Sequence, residues 1–170
     1  MSKKVKEETY YESIKRRDPA ARNNWQIFWL YPSVRCLRYY RLAHYFWNHK
    51  LKFIAEMLMV IAKKKTGIEI HPGAKIGKNL FIDHGSGVVI GETTIIGNNV
   101  TLYHGVTLGG TSLKKEPRHP IVEDNVIIGA GTNIIGRITI GKNSKIGVNL
   151  TIRKDVPPNS IIKSQEIISY

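Results

Sequence analysis

Residues 121–152 read IVEDNVIIGAGTNIIGRITIGKNSKIGVNLTI, and in this stretch an aliphatic residue recurs at every sixth position. The period fits neither the 3.6-residue turn of an α-helix nor the two-residue alternation of a half-buried strand. It is typical of a solenoid in which a short strand and a tight corner repeat, with one side chain per unit pointing inward. The aliphatic positions are Val122, Ile128, Ile134, Ile140, Ile146 and Ile152. They predict a β-solenoid built from three-sided coils.

The same register continues toward the N-terminus and is interrupted twice. The earlier aliphatic positions are Ile70, Ile76, Ile82, Ile90, Ile96, Leu102 and Leu108. Two residues are inserted within 83–87, and a longer excursion runs over 109–120. A solenoid is stabilised by repetition, so a departure from the repeat is a common place for functional residues. We therefore expect the functional site at these two interruptions.

The first third of the chain has a different composition from the repeat. It contains 15 Lys and Arg against 5 Asp and Glu. The pattern predicts one helix over 33–48, beginning after Pro32, and a second over 51–65, ending at Gly67. The resulting parts are a basic α-helical cap at 1–66, a β-solenoid at 67–160 and a short C-terminal tail at 161–170.

Composition excludes several classes of protein. A chain of 170 residues with 42% hydrophobic content is large enough for a globular core, which excludes intrinsic disorder. The longest apolar run, 57–62, is far shorter than the roughly 20 residues that span a membrane. Cys36 is the only cysteine, so no intrachain disulfide forms, and the N-terminal stretch lacks the apolar core of a secretory signal. These features favour a reducing cytoplasm.

The net charge of +13 raises nucleic acid as a possible partner. Most of the excess lies in the cap, where arginines and tyrosines of residues 35–41 stand side by side. At helical spacing such residues more often pack and solvate a helix than stack on bases. We therefore expect no nucleic-acid interface.

A histidine occupies each interruption of the repeat. His84 follows Asp83 in the first, and His119 follows Arg118 in the second. A neutral imidazole is a suitable general base for an alcohol that attacks a thioester, and a carboxylate such as Asp83 or Glu69 would orient it. An arginine can hold a substrate carboxylate through two hydrogen bonds. The pattern indicates acyl transfer to a hydroxyl group.

Several motifs then resemble a known family in their order along the chain. They are RDPAA at 17–21, YRLAH at 40–44, GIEIHPGA at 67–74, IDHG at 82–85, VVIGET at 88–93, GVTLGGT at 105–111 and RHP at 118–120. Over about residues 15–160 the chain resembles serine O-acetyltransferase of the hexapeptide-repeat acyltransferase superfamily. We regard the combined order of these segments as more specific than any single hexapeptide.

The resemblance implies a left-handed parallel β-helix, an exception to the right-handed crossover rule. It implies homotrimers, possibly paired, with active sites between subunits. The implied reaction moves an acetyl group from acetyl-CoA to L-serine, giving O-acetyl-L-serine and CoA in the first step of cysteine biosynthesis, with no metal. By position, the implied catalytic residues are His84, Glu69 and His119, the serine-binding residues Asp18, Asp83 and Arg118, and the CoA-groove residues Gly110, Ala130 and Lys145.

The chain departs from the family pattern at three places. Glu69 stands where the family often has aspartate, which keeps the charge on a longer side chain. Val148 and Leu150 replace small residues and are expected to narrow the CoA groove. The segment 161–170 differs from the family's C-terminal end, which makes docking of the partner O-acetylserine sulfhydrylase doubtful.

Three other functions remain open at the level of sequence. One is acetylation of a sugar or polysaccharide hydroxyl, which would not need a site for a zwitterion. Another is a metal-dependent trimeric hydratase, with ligands drawn from His71, His84, His104 and His119. The last is an inactive solenoid, against which the presence of Glu69, His84 and His119 argues.

Overall fold

The computed structural model describes residues 8–163, which form four helices followed by a run of short strands. The helices are α1 (Tyr10–Arg17), α2 (Asn24–Leu30), α3 (Pro32–Asn48) and α4 (Lys52–Thr66). Helices α3 and α4 match the two that the sequence predicts. Helix α1 begins with a capping box between Thr9 and Glu12, and α4 ends at Gly67 with φ +71°. Within residues 8–163, no helix is long and apolar enough to cross a membrane.

The strands follow the hexapeptide register. They are β1 (Glu69–Ile70), β2 (Lys75–Ile76), β3 (Phe81–Ile82), β4 (Val89–Ile90), β5 (Ile95–Ile96), β6 (Thr101–Leu102), β7 (Thr107–Gly109), β8 (Ile121–Val122), β9 (Ile127–Ile128), β10 (Asn133–Ile135), β11 (Thr139–Ile140), β12 (Lys145–Ile146), β13 (Thr151–Ile152) and β14 (Ile161–Ile162). From β1 to β13 every third strand joins the same parallel sheet. Face A contains β1, β4, β7, β10 and β13; face B contains β2, β5, β8 and β11; face C contains β3, β6, β9, β12 and β14. Strand β14 pairs with β12, because the face-B position between β13 and β14 is only a bridge from Val156 to Ile140.

The three faces form a parallel β-helix, which confirms the predicted fold class. Equivalent aliphatic residues pair across successive coils, as in the register Ile70 to Ile90 and Ile90 to Leu108 on face A. These side chains are buried and make one continuous core. Because each coil covers the inward residue of the next, burial of this aliphatic column is the main stabilising contribution.

The corners between faces define three edges of the β-helix. The A–B edge contains residues 71–74, 91–94, 110–120, 136–138 and 153–155. The B–C edge contains 77–80, 97–100, 123–126, 141–144 and 157–160. The C–A edge contains 83–88, 103–106, 129–132 and 147–150. Asparagines turn the B–C corners with φ between 56° and 61°, a conformation that asparagine tolerates better than most residues. They are Asn79, Asn99, Asn125, Asn143 and Asn159.

Candidate active site

The first sequence interruption places Asp83 and His84 on the C–A edge. His84 has φ +59° and is followed by Gly85 with φ +86°, so the chain leaves the regular corner here. The imidazole of His84 is exposed and lies edge-on to the ring of His104, with 6.0 Å between ring centroids. A left-handed conformation at a non-glycine residue often marks a functional site.

Sequence reasoning treated His104 only as a possible metal ligand and missed its position beside His84. The residue numbers of the two histidines already indicated that they lie close together. Phe81 on β3 pairs with Thr101 on β6, so residues 20 apart lie above one another in these coils. His84 and His104 have that separation and lie in successive coils of the C–A edge.

Glu69, the predicted orienting acid, lies on β1 and faces outward. Its carboxylate accepts a hydrogen bond from Lys63 Nζ in the last turn of α4, at 2.5 Å. Within residues 8–163 no hydrogen bond joins Glu69 to His84. The contact with Lys63 is an exposed ion pair, which contributes little to stability. The action of Glu69 on His84 therefore stays a prediction.

Asp18, which the sequence predicts to bind serine, is held beside the β-helix by its neighbour Arg17. All five N–H groups of the Arg17 guanidinium donate hydrogen bonds, to Ser13 on α1 and to Asn79, Val100 and Thr101 on the β-helix. Burial lowers the pKa of Arg17 to about 10. This anchor fixes the C-terminus of α1, where Asp18 is the capping residue, against the first coils.

Tyr31 makes a hydrogen bond to Asp18, and the charge of Asp83 also affects its pKa. The Tyr31 hydroxyl donates to Asp18 Oδ2 at 2.5 Å, and Asp18 Oδ1 accepts from the Ala20 N–H at 2.8 Å. Burial raises the pKa of Tyr31, and the charges of Asp18 and Asp83 raise it further. The structure thus places the Tyr31 hydroxyl on the predicted acid Asp18, a contact that sequence reasoning missed.

The second interruption places Arg118 and His119 on the A–B edge, where Thr93 holds them. The Thr93 backbone N–H donates to His119 Nδ1 at 3.2 Å, and the Thr93 hydroxyl lies 2.9 Å from the same nitrogen. Thr93 Oγ1 accepts the backbone N–H groups of Arg118 and His119 at 2.9 and 3.1 Å. Because a backbone N–H only donates, Nδ1 of His119 is an acceptor, and the neutral ring carries its proton on Nε2.

Burial and charge keep His119 neutral. Its side chain is buried, and this burial, together with the adjacent positive charge of Arg118, lowers the pKa of His119. The ring lies flat against Gly91, where a Cβ atom would stand 2.1 Å from His119 Cδ2. Arg137 Nη1 donates to the carbonyl oxygens of Thr93 and His119, both at 3.0 Å. His119 is therefore a fixed hydrogen-bond donor through Nε2.

Arg118 lines a cavity of 650 Å³ formed by the loop of the A–B edge. One of its guanidinium nitrogens, Nη1, donates to the Ser112 carbonyl oxygen at 2.7 Å. Gly110 packs beside it, since a Cβ atom there would stand 2.9 Å from Arg118 Cγ. The remaining guanidinium donors suit the predicted binding of a carboxylate.

The predicted CoA residues are distributed over different parts of the β-helix. Gly110 lies on the A–B edge, Ala130 on the C–A edge, and Lys145 is exposed on β12 of face C. Val148, which replaces a small residue of the family, is 48% exposed on the C–A edge. A single chain does not gather these residues into one groove.

Within one chain the candidate site is divided between two edges. The C–A edge has Asp83 and His84, and the A–B edge has Arg118 and His119. Asp18 is joined through Tyr31 to the core around Phe81, two residues before Asp83. In a three-sided coil these edges are separated by face A. Arg118 and His119 therefore lie on a different edge from Asp83 and His84.

No candidate metal site is found in the part of the chain that the structure describes: residues 8–163 contain no group of three or more His, Cys, Asp or Glu that could hold an ion. His71, one of the possible zinc ligands, accepts the Gly73 N–H at Nδ1 and lies edge-on to Trp47. These contacts indicate a packing role for His71.

A parallel β-helix of hexapeptide repeats, with an exposed histidine and a fixed, neutral histidine at its two interruptions, defines the class of hexapeptide-repeat acyltransferases. No family model matches the chain. Curated relatives do: serine acetyltransferase of Helicobacter pylori is 53% identical over 149 residues, covering 88% of this chain and 87% of the relative. Serine acetyltransferase of Mycobacterium tuberculosis is 46% identical, covering 88% of this chain and 66% of the relative. The chain belongs to the serine acetyltransferase family.

Solved structures agree with this family. Isoform 3 from Entamoeba histolytica, in complex with cysteine, is 41% identical with a TM-score of 0.89, over 95% of this chain and 58% of that one. The Neisseria gonorrhoeae enzyme in complex with serine is 36% identical with a TM-score of 0.84, over 89% and 62%. A serine acetyltransferase in complex with CoA is 39% identical with a TM-score of 0.83, over 91% and 63%. The chain thus spans about three fifths of these solved chains, and the left-handed form of the β-helix is confirmed.

Proposed function

We propose that the chain transfers an acetyl group from acetyl-CoA to the hydroxyl of L-serine, giving O-acetyl-L-serine and CoA as the first step of cysteine biosynthesis. The observation that carries this proposal is a pair of acids: Asp18, which accepts the Tyr31 hydroxyl, and Asp83, which stands directly before His84. In serine the ammonium group and the hydroxyl are on adjacent carbons. Acids that bind the ammonium would therefore present the hydroxyl to a neighbouring base. A neutral sugar has no ammonium group for these acids to bind.

The chemical step assigns different tasks to the two histidines. His84 accepts the hydroxyl proton as the serine oxygen attacks the thioester carbonyl, and Glu69 stabilises the imidazolium that forms. Collapse of the tetrahedral intermediate breaks the carbon–sulfur bond, and the imidazolium returns the proton to the CoA sulfur. His119 offers the substrate a hydrogen bond from its Nε2–H group, and Arg118 holds the serine carboxylate.

The division of the site between two edges supports a homotrimer. We propose that the C–A edge of one subunit faces the A–B edge of the next, which completes each site with residues from two chains. The solenoid at 67–160 supplies these edges, and the helical cap at 1–66 supplies Asp18. Acetyl-CoA is the co-substrate, and Gly110, Ala130 and Lys145 line its groove between subunits. Two further statements stay predictions, the pairing of trimers and the cytoplasmic location. Weak docking of the sulfhydrylase also stays a prediction, because residues 164–170 lie outside the described residues.

The experiment that tests the activity follows release of free CoA from acetyl-CoA with L-serine and with a panel of sugars. We expect release with serine to exceed release with every sugar, and His84→Ala to abolish most of it. Faster release with a hexose would replace serine by a sugar acceptor. No release with any acceptor would favour the inactive solenoid.

A further inference from the structure

We propose that Tyr31 is a positioning residue that makes the site select acceptors with an ammonium group beside the hydroxyl. This inference rests on the proposed function, because it concerns how Asp18 binds serine. Tyr31 holds no predicted role, and none of the sequence motifs contains it. The juxtaposition that carries it is the Tyr31 hydroxyl on Asp18, next to a small core that contains Phe81, two residues before Asp83.

The position of the Tyr31 hydroxyl is fixed by its surroundings. Tyr31 joins α2 to α3, and Pro32 restricts the backbone directly after it. Its ring packs against a small core of Ile14, Ile27, Val34 and Phe81, which joins α1, α2 and α3 to strand β3. Phe81 stands two residues before Asp83. The hydroxyl is therefore held by the same packing that places Asp18 near the start of the C–A edge.

Tyr31 leaves Asp18 able to bind a cation. A carboxylate has about four lone-pair positions. The Tyr31 hydroxyl occupies one on Oδ2, and the Ala20 N–H occupies one on Oδ1. Each oxygen therefore keeps one free position, directed by two fixed donors. Because the pKa of Tyr31 is raised, the hydroxyl remains a donor throughout the physiological range.

The charges around Tyr31 favour a bound ammonium. The charges of Asp18 and Asp83 raise the pKa of Tyr31, and the charge of Arg22 lowers it. Within residues 8–163 neither Asp18 nor Asp83 forms an ion pair. A substrate ammonium with its three donors suits this pair of acids. A hydroxyl acceptor without the amine leaves the acids uncompensated.

The test compares Tyr31→Phe with the wild-type chain in serine-dependent CoA release. Loss of the hydroxyl frees Asp18 to rotate, so we expect the serine KM to rise about tenfold, the usual effect of one hydrogen bond to a charged group. The kcat and the acetyl-CoA KM should change less than about twofold. Tyr11→Phe is the matched control, because Tyr11 packs on the same small core but makes no hydrogen bond to Asp18.

A second measurement separates positioning from a general structural effect. We would determine the inhibition constant of 3-hydroxypropanoate, which is serine without its amino group, in competition with serine. Tyr31→Phe should leave this constant unchanged. In an Asp18→Asn background, Tyr31→Phe should add almost nothing to the serine KM, because the two residues act as one unit.

Specific outcomes would overturn the inference. An unchanged serine KM in Tyr31→Phe would do so, as would an equal loss of affinity for serine and for 3-hydroxypropanoate. If Asp18→Asn raises the serine KM while Tyr31→Phe does not, only the role of Tyr31 fails. If the wild-type chain shows no serine-dependent release of CoA, the proposed function itself fails.

Discussion

At the scale of single residues, local environment distinguishes two histidines that look equivalent in the sequence. His84 is exposed on a left-handed corner, where its ring can approach a substrate. His119 is buried, and Thr93 fills its Nδ1 with donated hydrogen bonds. A proton acceptor needs an unprotonated nitrogen that is free of other hydrogen bonds. In His119 the unprotonated nitrogen, Nδ1, already accepts hydrogen bonds from Thr93. This contrast supports the proposal that His84 is the base.

His84→Ala should lower kcat by about 10² to 10⁴, the usual contribution of a positioned acid or base. Binding of both substrates should survive. Glu69→Gln should cost less, and adding it to His84→Ala should cost almost nothing more, since groups that act as one unit are not additive. Steady-state kinetics of the four variants, His119→Ala included, measure this. If His84→Ala keeps most of the kcat while His119→Ala abolishes it, the two roles must be exchanged.

The lowered pKa of His119 predicts how stability depends on pH. In the unfolded chain a histidine titrates near pH 6.5, whereas folded His119 binds its proton only at lower pH. Between these values the unfolded state binds more protons, so the free energy of unfolding falls as pH is lowered through this window. His71 is shifted in the same direction by burial and adds to the effect.

His119→Asn should therefore flatten the fall of Tm between about pH 7 and about pH 5.5, since it removes one titrating group. Thermal unfolding at several pH values checks the slope. His49→Asn, at an exposed position, is the control. A slope in His119→Asn identical to that of the wild-type chain would contradict the assignment of a lowered pKa.

At the scale of elements, the short helix α1 matters because it delivers Asp18 to the β-helix. Its sequence is mostly polar, with only Ser13 and Ile14 fully buried. Propensity alone gives an eight-residue helix little stability in water. Arg17 donates two hydrogen bonds within α1, to Ser13, and three to the β-helix, and so fixes the end of α1 that carries Asp18.

Arg17→Gln should lower the free energy of unfolding by about 2 kcal/mol, because it leaves several buried carbonyl groups without a charged donor. The serine KM should rise more than the acetyl-CoA KM, since α1 carries Asp18. Urea unfolding and steady-state kinetics check both effects. Arg16→Gln is the matched control on the neighbouring position, where the exposed pair with Glu8 contributes little. Equal effects of the two variants would show that α1 is not anchored through Arg17.

At the scale of the whole molecule, the three-sided coil places the residues of the proposed site on two different edges. Asp83 and His84 lie on one edge, and Arg118 and His119 lie on another. Aliphatic residues such as Ile121 and Ile135 are half-exposed on the faces, which provides surface for contact between subunits. The trimer of the proposed function would bring the two edges together.

Co-expression of His84→Ala and His119→Ala chains should restore activity that neither variant has alone. In a mixed trimer some sites take His84 from one chain and His119 from another, and both are then wild type. A site within one chain would never recover. Kinetics of the purified mixture, with light scattering to confirm a mass that is a multiple of three 19.3 kDa subunits, measure this. An active monomer would contradict both the assembly and the shared site.

The sequence by itself determined the β-helix, because the period of six is a local property that repeats in every coil. It also located both functional interruptions, since an insertion breaks a period wherever the chain then goes. Helix α1 escaped prediction, although Thr9 and Glu12 form a capping box that is visible in the sequence. The short, polar sequence of α1 has no apolar periodicity, and the capping box alone did not identify the helix.

The tertiary structure alone decided which side chains meet. Asp18 and Tyr31 are 13 residues apart, and Thr93 and His119 are 26 apart, across an irregular loop. Asp18 and Tyr31 lie before the repeat, so no period predicts their contact. Thr93 and His119 have the same separation as the paired residues Ile95 and Ile121, so the register places them in successive coils without giving the side-chain contact. Lys63 reaches Glu69 because α4 packs next to β1. A repeat fixes where each strand lies, but contacts between the coils and the non-repeating segments depend on how those segments dock, which no local pattern encodes.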